Sequence, residues 1–180
     1  MKNRNGAILI LVLTLMAVWI SFPFFRIRYF ESSETFKLIF SHFILPIFIL
    51  SITGATILYL KYLRKYNKKT NSNLKVAFQH IITVTLLSFI SLGILTGITF
   101  STIVTTNAYL KSKKTLFIKE RVIDYETSTT KFGRRRHQIL IKNPIDSTLI
   151  HLEVYRKYST GEMFIKEMEV GRWGLLYSIN

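Results

Sequence analysis

Three apolar runs without a single charged residue fill most of the first 110 positions, at 7–25, 38–60 and 76–110. Beyond residue 114 a two-residue alternation takes their place. A helix rises about 1.5 Å per residue, so about 20 apolar residues cross a hydrocarbon core of about 30 Å. All three runs meet that length. The third exceeds it: "IITVTLLSFISLGILTGITF" is the natural span, and the Thr, Ser and Asn residues after Phe100 belong to a helix leaving the apolar layer. The pattern therefore predicts spans at 7–25, 38–60 and 79–101.

The alternation after residue 114 predicts strands. In "STLIHLEVYR", Ile150, Leu152 and Val154 alternate with His151 and Glu153. In "EMFIKEMEV", Phe164, Met168 and Val170 share a face opposite Glu167 and Glu169. "LFIKERVIDYE", "HQILIKN" and "RWGLLYSI" complete the set, separated by the turn-forming stretches "TSTTKFG", "NPIDS" and "YSTGE". The predicted fold is an integral membrane anchor of three transmembrane helices (1–110) followed by a small all-β domain (111–180) of about five antiparallel strands.

Charge gives this anchor a direction. Lys61, Arg64, Lys65, Lys68, Lys69 and Lys75 stand between the second and third runs, and no acidic residue occurs from Thr35 to Lys119. Lys and Arg in short loops are retained on the cytoplasmic side. Together with Lys2 and Arg4 this loop puts eight basic residues on one face against six on the other: Arg26, Arg28 and Lys37, which Glu31 and Glu34 dilute, and Lys111, Lys113 and Lys114, which precede a domain where the bias weakens. The expected arrangement in a bacterial inner membrane has the amino terminus and the 61–75 loop in the cytoplasm and the β domain in the periplasm. "SFPFFRIRYF" after the first run lacks the small residues of a cleavage site, which favours an uncleaved anchor over an export signal. The chain has no cysteine, so disulfides, thiolate zinc sites and a thiol nucleophile are excluded.

Candidate residues are few. Arg134, Arg135 and Arg136 in "GRRRHQ" suit an anion or lipid headgroup, because guanidinium groups pair with phosphate in bidentate fashion. Trp173, Tyr177 and Phe164 are aromatic candidates for contact with a partner or the membrane. Gly93 and Gly97 in "GILTG" have the spacing of close helix packing. Pro46 leaves the His42 carbonyl unbonded and predicts a kink. His42 and His80 lie near opposite ends of antiparallel spans, which argues against one shared metal. No catalytic constellation, metal cluster or cofactor motif is present, so no catalytic residue, no metal and no cofactor is expected.

The function these features predict is that of a non-catalytic accessory or scaffolding protein of the inner membrane, presenting a small basic β domain outside the cytoplasm. Its partners would be membrane lipids and other membrane or envelope proteins, including further copies of itself, and not nucleic acid. One alternative is a membrane-disrupting effector whose cytoplasmic β domain senses an anionic ligand. Another is an oligomeric transporter or channel subunit.

Overall fold

The computed structural model describes residues 2–63, 73–110, 114–129 and 135–179. Helix α1 is Lys2–Arg26, followed by strand β1, Tyr29–Glu31. The chain passes directly into α2, Ser32–Leu38, a π-helical turn at Ile39–Phe43, α3 at Ile44–Leu58 and a second π-helical turn at Tyr59–Leu63. Helix α4 runs from Asn73 to Tyr109. Six strands follow: β2 Lys114–Arg121, β3 Asp124–Thr129, β4 Arg135–Lys142, β5 Leu149–Val154, β6 Met163–Val170 and β7 Leu176–Ser178.

Two stretches of helix are long and apolar enough to cross a membrane, Ser32–Lys61 and Val76–Tyr109; the apolar stretch described in α1, Ile10–Arg26, is shorter. The chain divides into two compact units. One is Met1–Leu38 with Phe100–Asn180, the other Ile39–Thr99.

The first unit contains a single antiparallel sheet of seven strands, a curled half-barrel with the order β2-β6-β7-β1-β5-β4-β3. The five expected strands become seven for two reasons. "LFIKERVIDYE" is not one strand, because Val122 and Ile123 turn a corner within it. The Val122 amide donates to the Glu162 carbonyl at 2.9 Å and the Ile123 amide to the Leu140 carbonyl at 2.8 Å. One half of the segment thus pairs at one margin of the sheet and the other half at the opposite margin.

The second reason is β1, which comes from between the first two apolar runs. Phe30 stands opposite Glu153 of β5 and Tyr177 of β7, so this three-residue segment joins the two halves of the sheet. The sheet is therefore not confined to 111–180. The last strand is also shorter than "RWGLLYSI" suggests. Arg172–Gly174 form a turn in which Gly174 takes φ +77°, a region open to glycine at no steric cost.

Alternation works as expected in the central strands. Ile139 and Ile141 of β4, Ile150 and Leu152 of β5, and Phe164 and Met168 of β6 make one apolar core, with Tyr29, Ile118 and Leu176. Successive residues of a strand face opposite ways. Tyr29 accordingly joins this core, while Phe30 meets Phe24 of α1 and Phe100 of α4, with ring centroids 5.6 and 6.1 Å away. Phe36 of α2 packs on the same Phe100 at 4.9 Å. Through these four phenylalanines α1, α2 and α4 meet the sheet at β1.

In the second unit the region of Pro46 is resolved by a π-helical turn. The turn ends at Phe43 and includes His42, whose carbonyl has no Pro46 amide to accept from. A wider turn accommodates the missing bond and the proline ring.

Candidate functional site

In the first unit an open cleft of about 830 Å³ lies between the end of α1 and strands β4 and β5. Helix α1 continues through Pro23 to Arg26, and the Ile27 amide closes its last turn by donating to the Pro23 carbonyl at 2.8 Å. The next amide, of Arg28, donates to the Ser178 carbonyl at 3.1 Å, so the chain leaves the helix already paired to β7. Two residues carry it from helix to sheet.

One wall of the cleft is apolar, built by Ile20, Phe24 and Phe25 of α1. The other is cationic. Arg135 and Arg136 enter from β4 and Arg28 from the link between α1 and β1, and among the described residues Glu153 of β5 is the one carboxylate in the lining. The Arg28 guanidinium lies over the Tyr155 ring at 5.0 Å, and that of Arg136 over the Phe24 ring at 3.9 Å. Among the described residues, ion pairs join Lys37 to Glu34 and Arg156 to Glu162, and none engages these three arginines. Burial holds the Glu153 carboxyl above its ordinary range, and the positive charge of Arg136 pulls in the other direction. At the rim, Tyr125 Oη and His137 Nδ1 share a hydrogen bond of 2.5 Å.

The sequence candidates are distributed unevenly around this site. Arg135 and Arg136 line it, and Arg134 lies outside the described residues. Most of the basic loop 61–75 is also outside them. Phe164 is 0% exposed and Tyr177 1%, so neither reaches a partner or a membrane while the sheet is folded. Phe164 packs edge-on to Tyr158 in the core, and Tyr177 Oη donates to Glu169 Oε2 at 2.6 Å. Their alternating positions in strands, where one face is always buried, account for this.

Trp173 is 39% exposed, at the turn before β7. Its backbone amide donates to Asn107 Oδ1 and its indole to Thr106 Oγ1, both at 2.9 Å, which fixes the turn to the end of α4. Gly93 faces open space: a Cβ added there meets nothing within 4 Å. Gly97 lies one turn further along α4 and is half-buried. His80 packs against the Tyr59 ring at 5.1 Å, and His42 Nδ1 pairs with Ser41 Oγ at 2.6 Å. Among the described residues no three His, Asp or Glu side chains gather closely enough to hold a metal ion.

Sequence reasoning missed Arg28, Phe24 and Tyr155 as parts of one site. Phe24 and Arg28 lie more than a hundred residues before Arg136, and the pairing of β1 with β5 brings them to the β4–β5 hairpin that carries Arg136 and Tyr155. A second omission is Glu31, which is 3% exposed and accepts the Leu176 amide hydrogen at 2.9 Å. A search of family models, curated proteins and solved structures finds no match to this chain, so the cleft and the sheet stand as the observations from which its role is argued.

Proposed function

We propose that the chain is a non-catalytic accessory protein of the bacterial inner membrane, in which three helices hold a small basic β domain at the extracytoplasmic surface to contact lipid and an envelope partner. The observation that carries this reading is the position of β1. Between β1 and β2 the chain contains two helices long and apolar enough to cross a membrane. Two crossings return the chain to the side it left, where β1 pairs with β5 and β7. The short links to α1 and α2 keep such a sheet close to the lipid surface.

The basic loop 61–75 sets the direction, because its six Lys and Arg residues favour retention in the cytoplasm. A reporter fused after Asn180 tests both parts of the reading. Alkaline phosphatase activity is expected from this fusion, and green fluorescence confined to the cytoplasm contradicts the placement. Affinity purification of the full chain from solubilised membranes is expected to recover a stoichiometric envelope protein or further copies of the chain.

A further inference from the structure

We propose that the cleft at the end of α1 binds the phosphate headgroup of an anionic membrane lipid, with Arg28 and Arg136 as its principal ligands. This rests on the reading of α1 as a membrane span. The two walls of the cleft match the two ends of such a molecule. Phe25, 71% exposed, extends the apolar wall formed with Ile20 and Phe24, and offers an acyl chain a surface continuous with the helix. The cationic wall begins one turn later, where headgroups would lie.

The guanidinium groups are already oriented. The Arg28 guanidinium sits over the Tyr155 ring and that of Arg136 over the Phe24 ring, and a guanidinium held by a ring through a cation–π contact still has N–H donors to offer. Neither has a carboxylate at ion-pair distance among the described residues. Phosphate accepts two parallel hydrogen bonds from one guanidinium, and two such groups can share its oxygens. Glu153 is the opposing charge in the lining, set against three arginines.

Size selects the class of ligand. A cavity of about 830 Å³ takes a headgroup, its glycerol and the first part of the chains, leaving the rest along α1 in the bilayer. A soluble acidic protein has no use for the apolar wall, and a free phosphate leaves most of the volume empty.

The test uses the full chain in detergent, titrated with phosphatidylglycerol, phosphatidylcholine or inorganic phosphate and read by native mass spectrometry. We expect one phosphatidylglycerol retained per chain, in preference to phosphatidylcholine. Retention should weaken at least tenfold in the double variant Arg28→Gln/Arg136→Gln. The pair Arg28→Lys/Arg136→Lys keeps the charge and protects against a folding defect. It should still lose affinity, because an ammonium group cannot form the planar two-point contact.

Equal retention of phosphatidylglycerol by the native chain and both variants overturns the proposal. So does competition by inorganic phosphate at the concentration at which the lipid itself binds, which would assign the site to free phosphate. Carbonate washing of membranes separates the two levels of the argument. A chain that is washed free refutes the anchor and the lipid site together, whereas an embedded chain without lipid preference refutes only the site.

Discussion

Glu31 Oε2 accepts the amide hydrogen of Leu176 at 2.9 Å in the interior of the sheet, joining the central strand β1 to the start of β7. Burial drives the carboxyl from its ordinary 4.5 to about 7, and the Leu176 amide only partly opposes the shift. Its side chain also lies within the electrostatic reach of Glu34 and Asp146, which raise it further, and of Lys37, which lowers it.

A pH dependence follows from this carboxyl. The folded chain holds this proton more tightly than the unfolded chain, so the contribution of Glu31 to stability is greatest below pH 4.5 and falls as pH rises to about 7. The full change is about 3 kcal/mol. Glu31→Gln keeps an acceptor for Leu176 and removes the titration. It should unfold at a higher temperature than the native chain at pH 8 and show a flatter profile from pH 5 to 8, measured by near-ultraviolet circular dichroism in detergent. Identical slopes for the two proteins would assign the titration elsewhere.

The grip of the 171–175 turn on α4 is expected to be sensitive to a single methyl group. A Cβ at Gly171 would overlap the backbone carbonyl and side-chain amide of Asn107. That same amide donates to the Leu175 carbonyl at 2.9 Å while its oxygen accepts from the Trp173 amide. Gly171→Ala should cost about 1–3 kcal/mol through forced displacement. Asn107→Ala should cost at least as much, about 1–3 kcal/mol for each of the two backbone groups it leaves unpaired. Both should also shift Trp173 fluorescence, since the indole loses its hold on Thr106.

How much of this was legible in the sequence depended on the range of the signal. The core positions Ile150, Leu152, Phe164 and Met168 follow from local alternation, and His137 pairs with Val154 as a hairpin turning near 145 implies. β1 is only three residues, "YFE", buried on both faces and flanked by Arg28 and Ser32. It shows no periodicity, and only its distant partners make it a strand. For the same reason the placement of Arg136 over Phe24, a contact across more than a hundred residues, has no signal in the local pattern of "GRRRHQ".

Gly93 offers a contrast with Gly171. Its surroundings leave room for a methyl group, and alanine is favoured over glycine within a helix by about 1 kcal/mol. Gly93→Ala should therefore leave the chain as stable as before or slightly more so in thermal unfolding. A loss of stability that disappears on dilution would instead identify this face of α4 as a contact between copies.

The central position of β1 governs what a fragment can do. Residues 111–180 alone lack the strand that pairs with both β5 and β7, so those strands would meet solvent or aggregate along unpaired backbone edges. Each backbone group left buried and unpaired costs about 1–3 kcal/mol, and a sheet of this size has little stability to spare. We expect the fragment to lack near-ultraviolet circular dichroism and a cooperative melt. Supplying residues 26–33 through a flexible Gly/Ser linker should restore both, because Tyr29 and Phe30 then recover Ser178 and Tyr177 as neighbours. Replacing Tyr29 by Asp in that linked fragment should abolish the rescue, since its ring packs against Phe164 in the core. A cooperative melt of 111–180 by itself would show that the two halves of the sheet close without β1, and would remove the structural reason for placing the domain against the ends of α1 and α2.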